Sequence, residues 1–259
     1  MYKFFSNHLS QDNIFFKHAR GISERSGKEF HPFHEIIYFL GGEAEFISEK
    51  LHLNLPPQTL IVIPCETYHQ MVIHGDQQMY YRCLLQFSQE HNISHKMNDI
   101  NVIRGDWEIN YLFGKLITAA EKQNQSSSVL LEPMLVLLLD SLKEKSTLSE
   151  ETRVHSDVVQ RAIEYINQNL NRSIPIHDIA VFCNVSKSSL THTFKNEMHI
   201  PLHKFIVKKR LIIAHHKISS GVPATKAALD CGFHDYSGFY KQYKNNFGFA
   251  PSQRYTKIS

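Results

Sequence analysis

From about residue 30 to residue 87 the apolar residues fall in short runs and alternations, not at helical spacing. Glu35–Leu40 is an apolar and aromatic run stopped by Gly41-Gly42, and Glu43–Ile47 resumes the pattern, as in a hairpin. Leu51–Leu55 alternates with period two, Pro56-Pro57 punctuates, and Thr59–Ile63 is a continuous apolar run closed by Pro64. Tyr68–Ile73 and Met79–Phe87 lie on either side of a His74-Gly75-Asp76 turn. Short strands at close, regular spacing predict a sandwich or small barrel. From Asp106 the period lengthens to that of helices, with Trp107, Leu112, Leu116 and Ile117 near one face. Ser126–Ser128 reads as a loop and cap, and Glu132-Pro133 suits a first helical turn. Val129–Leu142 is apolar almost all round, so it asks for burial on more than one side, against its own barrel or against a second subunit.

The stretch 146–154 is polar and reads as a linker. Asp157 is expected to cap a helix carrying Val158, Val159, Ala162, Ile163, Ile166 and Leu170. Everything beyond is helical, broken at Pro175, Pro201, Gly221–Pro223 and Gly248–Pro251. The fold class is therefore α+β: a β-barrel domain over 1–105, a helical dimerisation segment over 106–145, the linker, and an all-α domain over 155–259.

That last domain is written twice. Ile176–Ser186, Leu190, Phe194-Lys195-Asn196, Pro201 and Phe205 recur as Ala224–Phe233, Phe239, Tyr243-Lys244-Asn245, Pro251 and Tyr255. Two copies are too few for a solenoid. They suit two similar readers of one periodic partner, such as duplex DNA. Each copy has the pattern of a helix-turn-helix: a short helix with Ala180 or Ala228 at the crossing, a turn at Asn184 or Gly232 that tolerates a left-handed backbone, and a second helix capped by Ser186 or Asp235. The second helices are expected over Lys187–Met198 and Tyr236–Phe247. Leu190, Phe194, Phe239 and Tyr243 would face the core, leaving Lys187, Ser188, Ser189, Thr191, His192, Lys195, Tyr236, Ser237, Tyr240, Lys241 and Lys244 outward, as candidates for contact with DNA. Leu202–Ser219 joins the copies, and its Lys208-Lys209-Arg210 could rest on phosphate or serve a structural role.

Charge sharpens this picture. The net +3 of the 259-residue chain divides unevenly: residues 171–259 carry thirteen Lys and Arg against four acids, and the remainder is acidic. A basic half joined to an acidic one suggests a polyanion reader attached to something else. The four cysteines have no zinc-hook spacing, and Cys183 and Cys231, at equivalent positions, read as small buried hydrophobes. Neither a signal-peptide run nor a membrane-length apolar stretch is evident, so a cytoplasmic protein is expected.

Over roughly residues 155–258 the pattern resembles the AraC/XylS bacterial transcription regulators. The residues that carry it are Asp178-Ile179-Ala180, Val185-Ser186, Leu190, Phe194-Lys195, Arg210-Leu211, Ala214, Ala228, Cys231-Gly232-Phe233, Phe239, Lys244, Gly248, Pro251 and Arg254-Tyr255. The resemblance implies one helix per repeat in consecutive major-groove segments, with the groove-reading positions on Ser188, Thr191, His192, Ser237 and Lys241. His192 and Lys241 stand where the family commonly has arginine, so copy one lacks a bidentate fork. Lys209 replaces a usual apolar residue.

The front half resembles the same family's cupin-like effector domain, through His31-Pro32-Phe33-His34-Glu35 and Pro64–His69. His31 and His34 are three apart and would face opposite sides of one strand, so no metal ligand set and no cofactor are expected. His31, His34, Glu35, Tyr38, Glu45, Tyr68, His69 and Arg82 are instead candidates to line a pocket for a small organic effector, and a sugar would suit them. The sequence thus predicts a homodimeric, effector-controlled transcription regulator of promoter DNA, with RNA polymerase a candidate partner and no membrane. The competing readings are a metal-dependent cupin enzyme with a helical dimerisation tail and a ligand-independent DNA binder. No nucleophile–base spacing favours an enzyme.

Overall fold

A computed structural model describes residues 5–21, 31, 33–88, 99–122, 125–145 and 155–252. Pro32, the linker 146–154, Arg254 and Tyr255 lie outside the described residues. Among the described residues the N-terminal half holds nine strands: β1 (Phe5–Gln11), β2 (Ile14–Arg20), β3 (His34–Gly41), β4 (Glu43–Ser48), β5 (His52–Asn54), β6 (Thr59–Ile63), β7 (His69–His74), β8 (Tyr81–Phe87) and β9 (Asn101–Arg104). They pair as a six-stranded sheet in the order β1-β2-β8-β3-β6-β9 and a three-stranded sheet in the order β5-β4-β7. All of these pairings are antiparallel. The strands β3 to β8 fall where the alternation of side chains put them; β1, β2 and β9 extend the sheet beyond the expected 30–87. The β3–β4 turn needs Gly42, at φ +97°, because a Cβ there would stand 2.9 Å from the Met79 carbonyl oxygen and the Tyr80 Cα.

Two-residue periodicity divides the large sheet into two faces. Ile37 and Phe39 of β3 and Ile61 and Ile63 of β6 pack against Ala44, Phe46, Leu53 and Met71 of the small sheet. Ile36 and Tyr38, with Phe16, Leu60, Cys83, Leu85 and Phe87, pack on the other side against two helices, α1 (Trp107–Lys122) and α2 (Leu131–Ser141). A 3₁₀ segment, Gln125–Leu130, occupies the expected loop between them. Leu131, Leu135, Leu138, Leu139 and Leu142 bury against the barrel, while Val136 and Leu137 stay about half exposed. Trp107 departs from its expected face and is 79% exposed. It occupies the first helical residue, where the chain has just left β9.

The C-terminal half contains six helices among the described residues: α3 (Asp157–Asn169), α4 (Ile176–Phe182), α5 (Lys187–Met198), α6 (Leu202–Ser219), α7 (Ala224–Asp230) and α8 (Tyr236–Phe247). Ser156, not Asp157, occupies the N-cap of α3, and Asp157 is its first helical residue. Two small cores hold the two repeats. The first gathers Val159, Ala162, Ile166, Ile179, Ala180, Leu190, Phe194 and Phe205; the second gathers Leu211, Ala214, Ala228, Cys231, Phe239 and Tyr243. The joining helix α6 gives Phe205 to the first core and Leu211 and Ala214 to the second, so its apolar residues lie all round.

Candidate functional site

The turn between each helix pair is set by one left-handed residue, Asn184 at φ 62° and Gly232 at φ 76°. Each recognition helix then starts on a side-chain cap: Ser186 accepts from the Ser189 amide and Asp235 from the Gly238 amide. With Leu190 and Phe194, or Phe239 and Tyr243, buried, the helix exposes its opposite side. Lys187, Ser188, Ser189, His192 and Lys195 are exposed on α5, and Tyr236, Ser237, Tyr240, Lys241 and Lys244 on α8. Thr191 is half-buried, and its hydroxyl turns back toward the Lys187 and Ser188 carbonyl oxygens at 2.9 and 3.1 Å. It therefore presents an acceptor and a methyl outward, with its proton engaged.

Two members of the basic triplet of α6 are engaged within the chain. Arg210 braces the two repeats: its Nε donates to the Leu170 carbonyl at 3.2 Å and its Nη1 to the Gly232 carbonyl at 3.1 Å, with Nη2 directed to Arg172. Gly232 is glycine for a second reason here, since a Cβ would come within 3.0 Å of the Arg210 guanidinium carbon and the Leu170 oxygen. Lys209 reaches the barrel, where its ammonium meets both carboxylate oxygens of Glu49.

Of the eight candidate effector contacts, the structure brings some together and disperses the rest. Tyr38 is buried against Phe113 and donates to Asn110 at 2.7 Å, on the helix side of the sheet. Burial raises its phenol to about 12, with the Cys83 and Asp106 charges adding to the effect. His34 stacks on Phe87 and its Nδ1 accepts the Cys65 amide at 3.2 Å. Burial, then the charge of His31, lowers its imidazole. Glu45 belongs to the outer face of the small sheet, between His52 at 2.9 Å and His74 at 3.4 Å. Tyr68 leaves the barrel altogether: its ring packs edge-on to Phe205 of α6, and its hydroxyl lies 3.1 Å from the Met198 carbonyl and 3.0 Å from Gln70 Oε1.

Of the remaining four, His31, Glu35 and His69 meet, while Arg82 pairs with Phe39, four residues along β3 from Glu35. Glu35 is fully buried, with Oε2 at 2.8 Å from His69 Nε2 and 3.2 Å from His31 Nε2, while Oε1 accepts from Gln86 at 2.9 Å. Burial alone would raise this carboxyl, but the charge and hydrogen bonds of His31 and His69 outweigh it and hold the group below the usual carboxylate range. Arg82 is buried on β8, the strand that also supplies Gln86, with its guanidinium 4.7 Å above the Tyr80 ring.

Several joining residues carried no sequence signal as such. The outer face of the small sheet packs on the helical half: Ile47 and Tyr68 enter the first helix-turn-helix core. His155 Nε2 lies 2.6 Å from the Ser48 carbonyl, and Glu66 pairs with His216 of α6 at 3.0 Å. The departure of Lys209 from an apolar family position was the one visible hint of this contact.

Residues 13–139 match the model of the AraC-like ligand binding domain, and residues 179–255 match a helix-turn-helix domain. The chain belongs to the AraC family. Among relatives of this AraC-type regulator, the probable transcriptional regulator LumQ of Photobacterium leiognathi is 23% identical over 224 residues, which cover 86% of this chain and 89% of LumQ. The lactose operon transcription activator of Staphylococcus xylosus is 24% identical over 192 residues, 72% of this chain and 66% of that protein. The crystal structure of unsaturated fatty acid bound ToxT from Vibrio cholerae aligns with 96% of this chain and 93% of its own, at 13% identity and a TM-score of 0.41. The AraC-type regulator thus pairs a ligand-binding domain with a DNA-binding one, as the two halves of the sequence implied, and none of its described helices is long and apolar enough to cross a membrane.

Proposed function

We propose that this transcription regulator reads promoter DNA with the exposed faces of α5 and α8 in consecutive major-groove segments. The observation that carries the reading is the pair of equivalent exposed faces, capped alike and braced by Arg210 through one joining helix. Lys187, Ser188, Ser189, Thr191, His192 and Lys195 serve the first segment, and Tyr236, Ser237, Tyr240, Lys241 and Lys244 the second. Ser188, Thr191, His192, Ser237 and Lys241 meet base edges.

The barrel takes a small polar effector against His31, Glu35, His69 and Arg82, which can donate to and accept from hydroxyls; a sugar fits that chemistry. Two chains associate through the apolar side of α2 that the barrel leaves uncovered, at Val136 and Leu137. The protein is no enzyme in this reading and acts in the cytoplasm on promoters, with RNA polymerase its neighbour there. The effector acts by binding one arrangement of the two halves better than another.

The test is footprinting of the full chain on fragments of its own genome at moderate salt. A discrete protected site spanning two successive major grooves on one face is expected. Protection absent at every fragment, or lost uniformly with sequence, overturns the reading.

A further inference from the structure

The buried trio His31, Glu35 and His69 has a feature that packing alone leaves unexplained. His31 Nδ1 is 3.1 Å from the Phe33 carbonyl, and His69 Nδ1 is 3.1 Å from the Thr67 carbonyl. Only an N–H can face a carbonyl oxygen, so in each ring Nδ1 carries the hydrogen and a neutral ring turns the Nε2 lone pair inward. Both Nε2 atoms then point at one oxygen of a carboxylate whose other oxygen is held by Gln86. With the rings neutral, three acceptors converge in a place where Glu35 is wholly excluded from solvent and His69 is 2% exposed. Protons on the two rings supply the positive charge there, and a metal ion can take their place.

We propose that His31 Nε2, His69 Nε2 and Glu35 Oε2 bind a divalent transition-metal ion of the zinc class. The three atoms lie within 4.8 Å of one another. A tetrahedral site with bonds of about 2.0–2.1 Å needs its ligand atoms about 3.4 Å apart, so small shifts suffice. Two imidazoles and one carboxylate suit zinc and its neighbours rather than calcium or magnesium. Backbone carbonyls on the far ring nitrogens and an amide on the far carboxylate oxygen are the outer supports that metal ligands use to hold their orientation. Three protein ligands leave a fourth position for an oxygen of the effector.

The same residues sit at the root of the contact with the helical half. The loop that enters β7 carries Glu66 and Tyr68 immediately before His69. The Glu66 amide donates to the His31 carbonyl at 3.0 Å, and the Glu66 carboxylate pairs with His216 of α6. Tyr68 holds the Met198 carbonyl at the end of α5. Glu66 also keeps a left-handed backbone, at φ 61°, which a non-glycine residue adopts only under constraint. Drawing His31 and His69 onto an ion fixes both ends of this loop, and with them the seat of α5 and α6. This consequence for DNA rests on the DNA-reading proposal; the metal site does not.

The experiment uses the full chain, stripped with EDTA and desalted. Zinc is titrated against a chromophoric chelator, cobalt absorption is recorded, and the footprint is repeated with and without zinc. One ion per chain is expected, bound at least about tenfold more weakly by Glu35→Gln and by His31→Ala. His31→Ala removes a ring at the edge of the site and so guards against a folding failure of the first variant. Glu45→Gln, in the more exposed group with His52 and His74, should bind as the parent does. No stoichiometric ion, or binding that survives both variants or disappears in Glu45→Gln, overturns the site. A metal-loaded chain that protects no DNA would sink the DNA reading and leave the site standing; a chain that protects DNA but takes up no stoichiometric ion in the titration would do the reverse.

Discussion

Lys209 on α6 and Glu49, just past the end of β4, form a two-oxygen ion pair at 2.6 and 2.8 Å, with side chains only 12% and 14% exposed. It is the most sheltered lysine–acid pair across the two halves among the described residues, and it fastens the helix that spans both DNA-reading units to the sensing sheet. Removing one partner leaves a largely desolvated charge, at a cost of about 1–3 kcal/mol, between the values for exposed and buried pairs. Glu49→Gln is expected to lower the melting temperature and increase protease access between the halves. The exchanged pair Glu49→Lys with Lys209→Glu should recover much of the loss in a double-mutant cycle.

Arg210 serves carbonyls from two repeats, and lysine cannot fork across them. Arg210→Lys should therefore destabilise the chain by about 1–3 kcal/mol, from two part-buried carbonyls losing their donor. DNA affinity should fall because the two recognition helices lose their fixed relation. Denaturant unfolding and gel shift measure the two effects; an unchanged midpoint would show that Arg210 is not a brace.

Lys241 is exposed on α8, and the proposed DNA reading puts it at a base edge. Lys241→Ala should weaken binding by about 1–3 kcal/mol and relax preference at one position of the site. Selection from a randomised library reads the preference directly. A uniform loss over all sequences would assign the residue to phosphate instead.

His215 is buried in the second repeat with Nδ1 at 2.5 Å from the Tyr243 hydroxyl. Burial, then the charge of His216, lowers it from 6.5 to about 4. The unfolded chain binds a proton at this ring below about 6.5 and the folded chain only near 4, so the folded state loses stability as pH falls through that window. The contribution is present in full above the unfolded value and amounts to about 3 kcal/mol. Melting curves between pH 4 and 7 should show this slope, and His215→Gln should flatten it.

Val136 and Leu137 are 50% and 52% exposed on α2 while their neighbours bury against the barrel. Replacing both with Glu should turn a dimer into a monomer by light scattering without lowering the melting temperature of the barrel. A parent chain that is already monomeric at high concentration would refute the dimer.

What could be read along the chain was local. Asn184 and Gly232 at equivalent turns, Ser186 and Asp235 at equivalent caps, and the buried Leu190, Phe194, Phe239 and Tyr243 follow from short-range geometry, and the helices α4 to α8 lie where that geometry puts them. The edge strands β1 and β9 were harder, because Phe5–Gln11 is mostly polar and Asn101–Arg104 is only four residues long.

The eight effector candidates show the boundary most clearly. Period two says that Glu35 and Tyr38 face opposite sides of β3, yet says nothing of what covers either side. The histidines three apart in sequence, His31 and His34, diverge as their spacing implied; the ring that meets His31 is His69, from the other sheet. Sequence by itself determined β3 to β8, the helices, the duplicated unit and its outward faces, because capping, turn geometry and side-chain period act within a few residues. The tertiary structure alone decided that Tyr68 seats a DNA-reading helix, that Lys209 crosses to Glu49, and that two histidines share one buried carboxylate. Those are meetings of residues far apart in the chain, set by how sheets and helices pack to hide their apolar faces.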